Sequence, residues 1–552
     1  MPTVLHPDTT RGRRTYIVLV LYLAGGRYYL STDTFNVPTE DGKSLQVWDA
    51  IDQVDWDATL DLFGDSPQAV SVPFEVRIPG VDIPSLIAQG VDLSASKGEL
   101  SRWVEGTVWE DRQVLVFGDI MEPSHGSKDE PIRFSLVQAP FEDRSSMVDP
   151  DMVVDRRAWP LADERAYGEL YPQIIGSPGL RDDGPRVAGS PGHVVQVGEN
   201  PLQSQNPRPT YLLIASHEVN ATSVWVKNTD KDDGWTSRGV QHVRDGRGRL
   251  VAVCTLPWGE TPASYRTGTP STEGDTYMVS WPEEGGQYSR RRDDCLTLAG
   301  DVLTSYLART TLRVDVGRTE AAGVLLNGYR LSGYADEDVS VWEWLRSNVL
   351  PVLPISIVVG PEGLYPVVWP WAANQRDAIH HLNIDKLDGV RDADVEYSPV
   401  SDVANEVRVA YGLDLETGVY SRQIRTTGDD DYKSATFDEV LFPFDVLRAS
   451  RSRYGLASHT LETDLVYDSV TAAKTAYWIS YAKGVTTRTC AYIVAGTYRW
   501  LVLGDVVTIT DSEIGWVDQL VWIESIEDQD GDQLRLTVRT IETPTNPPPR
   551  SG

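Results

Sequence analysis

The sequence predicts a mainly β, multidomain chain with α+β parts. Three observations carry that expectation. The chain has 552 residues, which at about 150 residues per domain is three or four domains. Its 24 Tyr and 17 Trp stand among abundant Val and Thr, and 45 Gly and 34 Pro cut the chain into short runs, the texture of strands joined by turns. The three- and four-residue apolar spacing of helices appears in only a few stretches. A hydrophobic fraction of 41% is enough to bury real cores.

Residues 1–140 read as a β-rich first domain. Runs at 16–23, 28–32, 74–78, 103–109, 114–119 and 132–137 are apolar or alternating, at hairpin spacing. One short helix is expected after Asp82, with Pro84 in its first turn and Gly90 as its stop. From 141 to 210, Gly-Ser-Pro-Gly occurs twice, at 176–179 and 189–192, in a polar stretch that reads as an extended connection held against other surfaces. A small β domain, 211–290, follows, with strands at 211–215, 223–226 and 250–255.

An α+β domain is expected over 291–380. Its first helix, capped by Asp293 or Asp294, buries Leu296, Ala299, Val302, Leu303, Tyr306 and Leu307. The second starts near Asp338, buries Val341, Trp342, Leu345 and Val349, and stops at Pro351. A hairpin at 355–369 follows. The last domain, 381–542, opens with strands at 406–411 and 419–426. A helix capped at Asp468 or Ser469 buries Val470, Ala473, Tyr477 and Tyr481 and stops at Gly484. Strands at 489–494, 506–510, 519–526 and 534–541 close it. The tail, 543–552, with Pro544 and Pro547, Pro548 and Pro549, cannot join a sheet and reads as an extended arm.

Charge and motifs narrow the chemistry. With 50 Lys+Arg against 81 Asp+Glu the net charge is −31, poorly suited to gripping nucleic-acid phosphates. The longest apolar run, 16–23, is far short of the ~20 residues that span a bilayer. Cys254, Cys295 and Cys490 lie far apart and read as buried thiols. His217-Glu218 begins like a zinc-protease HExxH, but residue 221 is Ala, which leaves an exposed strand histidine. His380 and His381 point to opposite faces of a strand and cannot readily share a metal. Asn228, Asp230 and Asp232, like Asp528, Asp530 and Asp532, alternate as calcium ligands do, yet Gly and Glu fall at the wrong loop positions for an EF-hand. No phosphate loop, dinucleotide fingerprint or nucleophile elbow is present. Trp369 with Trp371, or Trp342 with Trp344, could form a sugar platform, although buried Trp is usually packing. The expectation is a chain with no cofactor, no metal and no catalytic residues.

Three stretches taken in order resemble a known family. They are Tyr171-Pro172-Gln173-Ile174-Ile175-Gly176 ahead of the strands at 211–226, the helix–helix–hairpin block at 296–369, and the late helix followed by Arg499-Trp500-Leu501-Val502-Leu503-Gly504-Asp505-Val506. The ordering, over about residues 165–540, resembles the tail hub (baseplate hub or tail-tip) proteins of tailed bacteriophages and gene-transfer particles. Read from the residues alone, Gly504 permits a tight turn and Asp505 bonds its own loop before a strand begins, while Tyr171, Pro172 and Gly176 make an extended arm with a turn.

The resemblance implies two tube-like β-barrel domains, at 1–140 and 381–542, and a homotrimer whose six barrels continue and close the tail tube at the distal end of a virion. Implied partners are a distal tail or tube protein ring, the tape-measure protein, tail fibre or central spike proteins, DNA in transit during ejection, and a host-surface glycan or receptor. Three copies would carry −93 charges, which would discourage DNA from adhering to a channel wall. Two other readings stay open on the sequence: a carbohydrate-binding or glycoside-hydrolase multidomain β protein, and a phage receptor-binding or attachment protein.

Overall fold

The computed structural model describes residues 13–541 apart from 24–25, 53–56, 60–69, 79, 127–129, 139–144, 181–185, 232–233, 259–275, 283–296, 336–337, 361, 372, 387, 428–438, 441–444 and 530–532. The chain is multidomain and mostly strand with a few helices, as the sequence predicts. Asp293, Asp294, Leu296, Cys295, Asp232, Asp530, Asp532 and the proline-rich tail lie outside the described residues.

The first region comprises β1 (Thr15–Leu23), β2 (Gly26–Ser31), β3 (Phe35–Pro38), β4 (Ser44–Asp49), β5 (Asp57–Thr59), β6 (Val70–Val76), β7 (Lys97–Val104), β8 (Gln113–Ser124) and β9 (Ile132–Gln138). All but β5 form one sheet in the order β3-β4-β2-β1-β7-β8-β9-β6. Its far ends are tied: just past β4, Ile51 bridges to Val76 and the Arg77 N–H donates to the Ala50 carbonyl at 3.0 Å. The sheet therefore curls on itself. Leu19, Leu21, Leu100, Val116 and Leu136 pack on one side, and Val18, Val20, Val37, Val47 and Trp103 on the other. Burial of both faces explains why β1 is a continuous apolar run and not an alternating one. Helix α1 (Ile83–Ala88) sits where expected, with Asp82 accepting from the Ser85 N–H at 3.1 Å. The run read at 103–109 instead ends at Val104, and a 3-10 turn forms at Trp109–Asp111.

Next come β10 (Gln173–Ile175), β11 (Ser190–Gln196), β12 (Thr210–Ala215), β13 (Ser223–Asn228), β14 (Thr236–Arg244), β15 (Leu250–Leu256) and β16 (Tyr277–Ser280). The last six close a barrel in the order β11-β12-β15-β14-β13-β16, with β16 returning to β11. Leu212, Ile214, Val224, Val226, Cys254 and Val279 fill it. Val154, Ala158 and Trp159 pack outside on Val195, Leu213, Val251 and Val253, so this part of the connection lies against another surface, as expected. Strand β11 within it was not foreseen: Ser190-Pro191-Gly192 has no β-favouring side chain, and its pairing partners set its conformation.

Helices α2 (Ala299–Arg309) and α3 (Val316–Leu325) follow, then β17 (Gly333–Ala335), α4 (Val341–Trp344) and the hairpin β18 (Ile355–Gly360) and β19 (Gly363–Val368). The predicted stripe Ala299, Val302, Leu303, Tyr306 and Leu307 is buried. Ser340 caps α4, close to the start expected near Asp338, and the helix continues as a π-turn at Leu345–Val349 and a 3-10 turn at Leu350–Val352. Helix α3 was missed because Gly317 and Gly323 break its apolar pattern.

The last region holds β20 (His380–Asn383), β21 (Gly389–Arg391), β22 (Glu396–Tyr397), β23 (Glu406–Asp414), β24 (Val419–Thr427), β25 (Glu439–Val440), α5 (Asp445–Tyr454), β26 (Ser458–Glu462), α6 (Ser469–Lys483), β27 (Arg488–Ala495), β28 (Val506–Asp511), β29 (Trp516–Gln529) and β30 (Gln533–Thr540). A large sheet runs β20-β28-β29-β30-β27-β21, while β25-β24-β23-β26 form a second. The chain itself joins the two ends of the large sheet. Strand β20 pairs with β28, a 3-10 turn at Ile384–Lys386 follows, and β21 then pairs with β27. Asp385 accepts from the Ser512 N–H at 3.0 Å, and Arg391 donates to Asp511 at 3.3 Å, both across that seam.

Asp468 caps α6 and Gly484 stops it, but its buried face only partly matches the predicted one: Tyr481 is buried, and Ala473 and Tyr477 are half-buried. Thr471, Ala472, Thr475, Ala476, Trp478 and Ile479 are covered, and Val470 is 56% exposed. Apolar residues surround this helix, so no single stripe marks its inner side. Polar anchors orient it, with Thr475 Oγ1 and Trp478 Nε1 both donating to the Val352 carbonyl, at 3.0 and 2.9 Å.

Candidate functional site: the junction between the two large sheets

Strand β29 is 14 residues long and serves two neighbourhoods. Its first part pairs with β28, and Ser525, Ile526 and Glu527 further along pair antiparallel with β5 of the first region. Just beyond, Asp528 carries a buried carboxylate that receives two guanidinium groups. Arg102 from β7 and Arg499, which precedes β28, are 3% and 5% exposed at the side chain, and Asp528 is 7% exposed. Arg499 Nε lies 3.3 Å from Asp528 Oδ1, while Arg102 takes Oδ2 and donates its other arm to Gln113 Oε1 at 2.9 Å. Gln138 at the end of β9 donates to the Gly360 carbonyl at the end of β18, which ties the first region to the helix-and-hairpin part as well. Buried charges are tolerated when paired in this way, and removing one partner leaves an uncompensated ion.

On the same strand β7, Glu99 accepts from Tyr22 Oη at 2.7 Å, Ser101 Oγ at 2.6 Å and Arg112 Nε at 2.7 Å. Burial pushes the Glu99 carboxyl up, but the bonds from Arg112, Ser101 and Tyr22 outweigh it and hold the group below the ordinary carboxylate range.

The predicted motif residues occupy two separate places. Tyr171 is fully buried against the outside of the closed barrel. Its hydroxyl accepts from Trp159 Nε1 at 2.7 Å and donates to Asp245 Oδ2 at 3.0 Å, and the Arg249 guanidinium stacks 4.8 Å from the ring centre. Burial first, then the Asp245 charge, raises the phenol well above its ordinary value. The Pro172 carbonyl accepts from the Ser216 N–H at 2.7 Å. Gly176 has φ +59, and a Cβ there would lie 2.5 Å from the Leu331 carbonyl, so geometry demands glycine. The two Gly-Ser-Pro-Gly segments meet: a Cβ on Gly189 would lie 2.2 Å from the Pro178 carbonyl. Trp281 Nε1 donates to Ser190 Oγ at 2.9 Å beside them.

Gly504 and Asp505 lie on the last sheet instead. Gly504 has φ +86, and its Cα faces Val367 of β19. Asp505 accepts from the Val502 N–H at 2.8 Å. Burial raises its carboxyl to about 6, opposed only by that bond.

The chemical candidates resolve into packing. His217 is not an exposed strand histidine. It sits half-buried in a bend, where Nε2 accepts from the Ile174 N–H at 3.2 Å and pins the arm to the barrel. His380 packs against Tyr498 and Trp500, whereas His381 bonds Thr508 at 2.9 Å. Asn228 accepts from the Asp230 N–H, as a turn residue does. Among the described residues no group of three or more His, Cys, Asp or Glu is placed to hold a metal. Cys254 and Cys490 are buried thiols outside any disulfide among the described residues. Trp342, Trp344 and Trp369 are core residues, which removes both predicted sugar platforms as continuous surfaces. Asp528, one of the alternating acids that failed the EF-hand pattern, is the centre of the junction. Its partners Arg102 and Arg499 carried no signal beyond being charges within apolar runs.

No protein-family model matches the chain, and no curated protein matches it. Solved structures do. A tail protein from Neisseria meningitidis MC58 is 11% identical with a TM-score of 0.35, over 95% of this chain and 96% of that one. The 43 kDa tail protein of prophage MuSo2 from Shewanella oneidensis is 10% identical with a TM-score of 0.35, over 95% and 98%. A chain from the virion of a native gene transfer agent particle is 13% identical with a TM-score of 0.39, over 73% and 90%. All three are tail or virion proteins.

Proposed function

We propose that the chain is a structural component of a phage tail tip, a homotrimeric hub that continues and closes the tail tube. The observation that carries this reading is the pair of curled sheets in one chain, each with its ends tied, joined by the β5–β29 pairing and the buried Arg102–Asp528–Arg499 cluster. Three such chains supply six wall segments, enough to meet a sixfold tube. On this reading the chain performs no catalysis and resides in the virion at the distal end of the tail. Its partners are a tube or distal tail ring, the tape-measure protein and fibre or spike proteins. DNA passes through the channel without lasting contact, and host glycans or receptors are met at the outer face. Light scattering combined with negative-stain imaging tests the proposal. A trimeric ring with a central channel is expected; a compact monomer at every concentration up to the highest soluble one would overturn it.

A further inference from the structure

We infer that a small aromatic notch on the last sheet is a docking site for the chain's own proline-rich tail. The notch is walled by Trp369, Trp371, Tyr481, Trp522 and Ile541, with Thr487 and Arg539 at its edge, and encloses about 60 Å³. Its walls are rigid. Trp369 meets Trp478 edge-on at 5.5 Å, Trp371 meets Tyr481 edge-on at 5.2 Å, and Arg539 is held by Glu524 at 2.6 Å and Thr487 at 2.7 Å.

Size and chemistry select the occupant. Small-molecule pockets are typically ~300–1,000 Å³, so a sugar ring with its hydroxyls is too large. A water held there needs two or more polar partners, and aromatic walls offer few. One compact apolar ring fits, and proline-rich segments are recognised by rigid aromatic grooves because their extended form has little entropy to lose.

Such a segment starts at the rim. Ile541 is part of the wall and is fixed there by its N–H donating to the Leu520 carbonyl at 3.0 Å. Pro544 and Pro547, spaced Pro-x-x-Pro, follow three and six residues later, and at ~3.1 Å per residue Pro544 stays within about 9 Å of the wall. Tethering at that length raises the effective concentration to about the millimolar range, so weak contacts suffice. This inference does not depend on the hub reading.

The test places a photo-crosslinking amino acid at Thr545 in the full chain and maps the products by mass spectrometry, using a mixture of isotope-labelled and unlabelled chains. Crosslinks within one chain to 369–371 or 481–487 are expected, with a several-fold loss of yield in the Pro544→Ala/Pro547→Ala variant. The proposal is overturned by crosslinks scattered elsewhere, by a yield indifferent to the two prolines, or by crosslinks that join labelled to unlabelled chains.

Discussion

At the scale of single residues, Asp528 is the acid on which the junction turns. Asp528→Asn leaves two buried guanidinium groups facing a neutral amide and should remove about 3–5 kcal/mol of stability. Arg499→Ala should remove less, because Arg102 still holds the carboxylate. Denaturant midpoints on the purified chain check both. Asp505 makes the opposite prediction. Its carboxyl is raised by burial to about 6, so the folded state favours the protonated acid. The penalty is fully present above pH 6 and fades as pH falls towards 4. Asp505→Asn keeps an acceptor for the Val502 N–H and should stabilise the chain at pH 7 by about 1–3 kcal/mol, the gain closing near pH 4; unfolding curves at the two pH values measure it. The sequence did mark Gly176, Gly504 and Asp505 as turn residues, because left-handed backbone and short acids leave a residue-type signature. It could not mark Asp528, whose importance comes from Arg102, 426 positions away, and strand pairing over such a separation has no local code.

At the scale of elements, legibility follows amphipathicity. Helix α2 was readable because one face is apolar and its other side is wetter. The existence and caps of α6 were readable too, but its inner face only in part, since Ala, Val, Tyr, Trp and Ile surround it. The structure therefore predicts that Val470→Ser changes stability by less than about 0.5 kcal/mol, while Trp478→Ala costs about 3–5 kcal/mol. Thermal unfolding of the two variants distinguishes the observed face from the one the pattern suggested. Helices α2 and α3 cross at Gly300 and Gly323, where a Cβ on Gly300 would lie 2.2 Å from the Gly323 carbonyl. That contact explains why glycine stands inside both helices despite its poor propensity, and why α3 escaped a reading based on apolar spacing.

At the scale of the whole molecule, the mainly β, multidomain class was legible from turn residues and strand runs. The tie between distant regions was not. Ala58→Pro, placed in the β5 backbone opposite Ile526, should speed amide hydrogen exchange at 525–527 while leaving the closed barrel protected, since only the pairing at the junction is disturbed. Charge adds a second expectation. For the trimer proposed above, copies each bearing −31 repel one another, so its assembly should strengthen as salt shortens the screening length from ~10 Å at 0.1 M to ~3 Å at 1 M, visible as a shift to faster sedimentation. The seam of the last sheet has one more consequence. An open sheet pushed outward from within parts along a line of hydrogen bonds, each worth only about 0.5–1.5 kcal/mol net. Here the backbone through Ile384–Lys386 runs directly from one margin to the other. That link acts as a clasp: β20 and β21 cannot move apart without unfolding it, so the sheet opens only where one of its hydrogen-bonded strand pairs parts.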